Sequence, residues 1–325
     1  NILIFCFFIS VISFAQENKI SIKSTFKPDK DELLIRQEIV FYNSSDSILT
    51  NIYLHNWANS FRDRKTPLSK RLIKDFRKNL YFANEKDLGE TTIKNLSVNY
   101  ENTGFFEVEK QADLINVPLL KSLKPKDSAK IEITYIVKIP SAEFTSYGKT
   151  KEGYHLRFWY ITPAVYNNGW QLMSNLNIDD LYECPTDFII EVDVPKDYVV
   201  ESNLYEYKTE KENITNYYLV GKSKTDIILS INKTKQLKTF KTKSTTVYTD
   251  LFPLEIDYDA ATSILNRELL FIEKFLGKYP HNEIYVDKIT QSKDPVYGLS
   301  QLPSFLRPFS DSFKWDVTMF KALSR

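Results

Sequence analysis

From about Asn18 to Gln236 the chain alternates apolar and polar residues with a period of two, the pattern of half-buried β-strands. Residues 32–43, ELLIRQEIVFYN, alternate; SSDS then reads as a turn, and LTNIYLHNWANSF alternates again. That order predicts a hairpin. IKNLSVNY, AKIEITYIVKIP, YHLRFWYITP, DFIIEVDVP, NYYLVGKS and DIILSINKT continue the series, with turn residues between them. Strands at this spacing predict a mainly β saddle or sandwich. One interruption is helical: in 67–88, Leu72, Phe76 and Leu80 stand four apart on one face. The Lys/Arg-rich remainder of that segment reads as a solvated face rather than a binding patch.

After KTKQLKTFKTK (233–243), a polar basic stretch that reads as a linker, the period changes. TTVYTD is a short strand. DYDAATSILNRELLFIEKFLG (257–277) is an amphipathic helix, with Ala261, Ile264, Leu265, Leu269, Ile272, Phe275 and Leu276 on one face. Asp257 suits its N-cap, and Gly277 falls where a C-terminal glycine belongs. NEIYVDKI is the next strand, PVYGLSQLPSF a turn-bearing stretch, and WDVTMFKALSR the opening of another helix. The expected organisation is a leader over 1–15, a β domain over 16–236, and the beginning of an α/β domain over 237–325 that the sequence leaves unfinished.

Composition narrows the function classes. Among 325 residues, 43 basic side chains balance 42 acidic ones for a net charge of +1, which argues against a nucleic-acid partner. Aromatic residues make up 14%, with 20 Tyr and 22 Phe, as β structure favours. The first residues, NILIFCFFISVISFAQENK, hold an apolar run of about 14 residues ending in Ser13-Phe14-Ala15. That is short of the ~20 residues of a membrane span and matches the core and cleavage site of a secretory signal cut after Ala15. Leu3, Ile4 and Phe5 ahead of Cys6 are too bulky for a lipidation motif. Export without a membrane span is expected: periplasmic, outer-membrane associated or secreted. Past the leader only Cys184 remains, so no internal disulfide is available, and it reads as a small buried hydrophobe beside Pro185 rather than a reactive thiol.

Candidate chemistry is sparse. His55, His155 and His281 are isolated from one another, and none has a His or Glu at helical ligand spacing. Zinc needs three or four converging ligands, so each reads as structural. No phosphate loop, nucleophile elbow or Cys/His pair is present, and the Asp179–Asp180 pair reads as solvated. The densest aromatic run is RFWYITPAVYNNGW (157–170). Its Trp159, Tyr160, Tyr166 and Trp170 read as core rings, the alternative being a platform for glycan or peptide stacking.

Taken in order, these segments resemble the aminopeptidase N family of zinc metallopeptidases, the gluzincin group, in its exported bacterial branch. The likeness runs across nearly the whole chain after the leader. It rests on the saddle-like opening LLIRQEIVFYNSSDSILTNIYLHNW, on Trp159, Pro163, Val165, Tyr166, Gly169 and Trp170, and on DFIIEVDVPKDYVVESN. It rests further on KFLGKYP, with Phe275, Gly277, Tyr279 and Pro280. The resemblance implies a thermolysin-like α/β domain after the β domain, a zinc cofactor, and peptide substrates or ligands.

In that family a loop Gly-(Ala/Gly)-Met-Glu-Asn precedes the zinc helix, and its glutamate holds the substrate's α-amine. Here Gly298 matches the loop glycine, Leu299 and Ser300 replace Ala and Met, Gln301 replaces Glu, and Leu302 replaces Asn. The resemblance thus makes Gly298, Leu299 and Gln301 substrate-binding residues. A neutral amide in place of the carboxylate removes a charge-assisted bond, about 1–3 kcal/mol of amine recognition. No catalytic or metal-ligating residue is assigned within 1–325: the His-Glu-x-x-His ligands lie beyond it or are lost. The expected function is therefore an exported, aminopeptidase-like zinc peptidase, with a catalytically inactive peptidase-like binding or scaffold protein as the alternative. A glycan-binding module using Trp159–Trp170 is a third, which leaves KFLGKYP unexplained.

Overall fold

The computed structural model describes residues 17–325 except 178–180, 254, 255, 280, 281, 297, 300–302, 307, 308 and 325. The alternating segments form strands, most of them with one face buried. They build an eight-stranded sheet. Its order runs Tyr205–Glu210, Ile214–Lys224, Thr186–Pro195, Asn18–Lys27, Glu32–Tyr42, Ser128–Lys138, Glu90–Val98, Glu101–Asn102. Every neighbouring pair is antiparallel except Asn18–Lys27 with Thr186–Pro195. Two four-stranded sheets cover its inner face. One carries Leu49–His55 and Gln111–Leu123; the other carries Val199–Ser202, Ile228–Asn232 and Gly153–Arg157. Ile35, Ile39, Ile133, Val192 and Leu219 of the large sheet share a core with Leu54, Val117, Leu156 and Leu229 of the small ones.

The expected 32–55 hairpin does not form. Glu32–Tyr42 pairs with Asn18–Lys27 and Ser128–Lys138, whereas Leu49–His55 pairs with Gln111–Leu123 in another sheet. The redirection comes from Asn43. Its side-chain amide donates to the carbonyls of Ser47 (2.8 Å), Lys124 (3.1 Å) and Leu123 (3.4 Å), so the chain turns out of one layer into the other.

The 67–88 helix is shorter than its spacing suggests: α1 spans only Pro67–Lys74. Phe76 takes φ +60° and closes a Schellman cap, its N–H bonding Ile73 O while the Arg77 N–H bonds Leu72 O. Leu72 and Leu80 are buried, but Phe76 sits outside the apolar face at 89% exposure.

The aromatic run packs inward. Trp159 and Tyr160 are buried, and Trp170 leans on Phe41, Tyr53 and Tyr166 with ring centroids 5.2–5.9 Å apart. These rings are core, not a platform. Cys184 is partly buried, and that burial pushes its thiol pKa up, away from reactivity.

The supposed linker is partly a strand. Lys238–Lys241 buries Phe240 and opens a three-stranded sheet with Thr246–Thr249 and Glu283–Val286. The last two strands run parallel, joined by the crossover helix α2, Tyr258–Leu276. Asp257 caps α2 through Ala260 N–H at 2.7 Å, and Gly277 ends it at φ +93°. On one face of this sheet Val247, Ile284 and Val286 form a second core with Leu265 and Leu269 of α2 and Trp315, Met319 and Leu323 of a further helix, α4, Asp311–Leu323. Phe275 and Leu276, expected on the buried face of α2, are exposed. The fold is thus mainly β at the N-terminal side, followed by an α/β unit.

Candidate functional site

Strand alternation sends Tyr248 and Tyr285 to the sheet face opposite α2 and α4, toward the β body. A trough runs between them. Its larger part, about 580 Å³, is lined by Val199–Tyr205 and the 206–224 hairpin on one side and by Tyr248, Glu283 and Tyr285 on the other. A narrow part of about 30 Å³ shares Glu201, Ser202, Leu237 and Tyr285 with it. That part in turn shares Ser230, Asn232, Gln236 and Asp250 with a third part of about 230 Å³. The three adjoin as one cleft, within the size range of ligand pockets.

The small end lies at the carboxyl ends of the two parallel strands, where open α/β sheets bind ligands. Asp250 follows Thr246–Thr249 directly, and Asp287 follows Glu283–Val286. A short helix, α3, Lys288–Lys293, starts there, with Asp287 accepting from Thr290 N–H at 2.7 Å and Asp250 from Lys288 N–H at 2.6 Å. Facing them, His155 and Ser230 are cross-strand partners on Gly153–Arg157 and Ile228–Asn232. Ser230 Oγ lies 3.3 Å from His155 Nδ1, and Asp287 Oδ1 lies 3.7 Å from His155 Nε2. Burial pushes the Asp250 carboxyl above its ordinary pKa, the Lys288 N–H opposes the rise, and the Asp287 charge adds to it.

Glu201 holds the two sides together. Glu201 is 5% exposed, and its carboxylate accepts from Gln236 N–H (2.9 Å) and Leu237 N–H (3.0 Å), at the entry to the second sheet. Glu201→Ala leaves both part-buried amides without their acceptor, at a cost of about 2 kcal/mol. Thermal melts and hydrogen exchange should show a lower Tm and faster exchange at Gln236 and Leu237; protection unchanged there rules the role out.

The residues singled out by sequence fall in different places. Gly298 has φ +85°, and a Cβ there would meet nothing within 4 Å, so backbone conformation rather than space calls for glycine. Leu299 N–H closes the turn on Val296 O at 3.2 Å. Gln301, with Ser300 and Leu302, lies outside the described residues, as do His281 and the Asp179–Asp180 pair. His155, read as isolated, joins the trough. His55 is fully buried in the β body against Glu183. Sequence reasoning missed Asp250, Asp287 and Glu201. A readable signal existed for the first two, an Asp at the end of each of two successive short strands.

Among the described residues no three His, Cys, Asp or Glu side chains come together as a metal-binding group. His155, Asp250 and Asp287 share the small end without converging. The described residues therefore do not form a zinc donor set, and no step through zinc follows from them. Nor, among them, is any helix long and apolar enough to cross a membrane.

No family model matches the sequence, and no curated protein matches it. Among solved structures, an M1 zinc metallopeptidase from Deinococcus radiodurans aligns at 12% identity over 84% of this chain and 57% of that one, with a TM-score of 0.49. A glutamate-to-alanine mutant of an M1 zinc metallopeptidase from that organism aligns at 14% identity over 84% and 56%, also at 0.49. A two-domain M1 zinc metallopeptidase mutant bound to L-arginine aligns at 13% identity over 84% and 57%, at 0.48. This chain spans a little over half the length of those structures.

Proposed function

We propose that the chain forms the β domain and the opening of the catalytic domain of an exported, aminopeptidase N-like zinc metallopeptidase, and that the trough binds its peptide. The observation that carries this reading is the trough itself. It is an elongated cleft at the carboxyl ends of two parallel strands, closed from the other side by the β body. KFLGKYP at the end of α2 and the Gly298 turn stand in the order the resemblance requires. On this reading Gly298, Leu299 and Gln301 border the substrate, and the zinc is held by residues other than those described.

A second reading, a peptide-binding protein without catalysis, is favoured by Gln301 in place of the loop glutamate and by the absence of His and Glu from KWDVTMFKALSR. One experiment separates the two. The full-length gene product is assayed for metal content by mass spectrometry and for hydrolysis of amino-acid amides and internally quenched peptides. Stoichiometric zinc with hydrolysis is the expected result. Peptide binding with neither zinc nor turnover would establish the second reading instead.

A further inference from the structure

Among the described residues, every strand at the end of a sheet but one has four residues or fewer. The exception is Tyr205–Glu210, which closes the eight-stranded sheet. It has six residues, is exposed throughout, and carries no Pro and no bulge in its pairing with Ile214–Lys224. A regular, open strand of this kind is a template for another strand.

The hairpin turn fixes which backbone groups are free. Lys211 N–H donates to Ile214 O at 2.8 Å, and Glu210 stands opposite Thr215 in the same register. In an antiparallel pair the bonded positions alternate, so Tyr205, Tyr207 and Thr209 turn their N–H and C=O groups toward Ile214–Lys224. Glu206, Lys208 and Glu210 turn theirs to the open edge.

The side chains then decide which strand fits. A second copy of Tyr205–Glu210, laid antiparallel about a two-fold axis perpendicular to the sheet, keeps like faces together. With Tyr207 on the axis, Glu206 stands opposite Lys208 of the second copy, and Lys208 opposite its Glu206. Both are positions whose backbone groups point outward, so each pair exchanges both of its hydrogen bonds. Other registers fit worse. Lys208 on the axis opposes Lys208 and sets Glu206 against Glu210; Glu206 on the axis opposes Glu206. Like charges directly opposite are destabilising. Thr209 on the axis matches Lys208 with Glu210 but leaves only Lys208–Glu210 of the strand overlapping. The existing Lys208–Glu210 ion pair, with both side chains more than half exposed, gives way at little cost.

The outer face agrees with the same register. Tyr207 meets Tyr207 of the second copy at a non-hydrogen-bonded position, where side chains come closest. Tyr205 lies 5.1 Å from Tyr207 between ring centroids, and Tyr218 is the cross-strand partner of Tyr207. All three rings are exposed, and the axis joins them into one row.

We propose that a second copy of this chain docks on Tyr205–Glu210, joining two eight-stranded sheets edge to edge through the Glu206–Lys208 pairs and the facing Tyr207 side chains. Glu206 and Lys208 also line the wide end of the trough, so the contact borders that end of the cleft in each copy. The proposal goes beyond the peptide-binding reading and does not depend on it.

Sedimentation velocity on the full chain, from about 1 to about 500 µM at about 50 mM NaCl, where charge is little screened, reads the association. One strand pair is smaller than a standard interface, so the dimer should half-form on the order of tens of micromolar. Glu206→Lys alone or Lys208→Glu alone sets like charges opposite at both pairs, and each should weaken dimerisation at least about tenfold. Mixed in equal amounts, the two variants oppose unlike charges at both pairs and should associate at about wild-type strength. That recovery also shows that both variants fold. A monomer at every wild-type concentration overturns the proposal, as does a dimer that neither variant weakens. A mixture that stays monomeric overturns it too. Dimerisation lost in Lys208→Glu but kept in Glu206→Lys overturns it in favour of the Thr209 register.

Discussion

Glu183→Ala should destabilise the β body by about 3–5 kcal/mol, the cost of leaving two buried donors without their carboxylate acceptor. His55 is fully buried and Glu183 nearly so, with Nδ1 and Oε1 3.4 Å apart. The second carboxylate oxygen accepts from the Thr162 hydroxyl at 2.9 Å. His55 Nε2 accepts from Met173 N–H at 3.4 Å, so the ring hydrogen sits on Nδ1 and points at the carboxylate. Burial raises the Glu183 pKa, and the His55 contact and the Thr162 hydroxyl pull it back. Alanine leaves an imidazole N–H and a hydroxyl in a dry site with no acceptor.

The loss spreads because of what the pair fastens. Trp57 stacks on His55 at 4.5 Å and donates Nε1–H to Met173 O at 2.8 Å, while Asp113 accepts from Asn175 N–H at 2.6 Å and Ser174 Oγ at 2.9 Å. The 171–177 stretch is thus pinned to Leu49–His55 and Gln111–Leu123, just upstream of the Thr186–Pro195 strand inside the large sheet. Glu183→Gln keeps an acceptor for His55 and should lose only about 1–2 kcal/mol. At about 2–4 °C per kcal/mol for a body of this size, the alanine variant should melt at least 6 °C below wild type. Hydrogen exchange should rise first at 171–177. Equal melting of the Ala and Gln variants would show that the pair adds nothing beyond the volume it fills.

What could be read in the sequence follows from what local pattern encodes. Alternation in DFIIEVDVP or AKIEITYIVKIP reports one buried face, and that is a local fact. Which strands pair is not local: ELLIRQEIVFYN and LTNIYLHNW carry the same signal yet enter different sheets because one Asn43 side chain bridges to residues 80 positions away. The helical spacing of Leu72, Phe76 and Leu80 overran because a Phe at φ +60° can end a helix when two capping hydrogen bonds favour it. KTKQLKTFKTK looked like a linker because only Phe240 among its residues faces a core. The trough was the least legible part. Its sides come from stretches around 155, 201–236, 250 and 287, and no spacing rule joins them. The turn at Gly298 could be read from composition, since a lone glycine in a polar stretch asks for positive φ.

The last expectation concerns a carboxylate that pattern would place in water. Glu268 of α2 is 3% exposed, and neither of its oxygens has a hydrogen-bond donor in reach. Burial, followed by the neighbouring Asp316 of α4, pushes its pKa up to about 9, whereas Asp316, bonded by Glu268 and by Arg267 at 2.6 Å, is held low. The arrangement is consistent only if Glu268 carries the proton at neutral pH and donates it to Asp316 across the α2–α4 contact. The folded pKa then exceeds the unfolded one of about 4.3, so the native state binds the extra proton. Stability supplied by this group is complete below pH ~4 and falls as pH rises toward 9. Glu268→Gln keeps a donor toward Asp316 and cannot ionise. The variant should match wild type below pH ~4 and exceed it by about 6 kcal/mol near pH 9. Urea midpoints for both proteins across that range provide the measurement. If the two stability curves stay parallel with pH, Glu268 is already ionised in the fold, and the α2–α4 contact is held by its apolar residues alone.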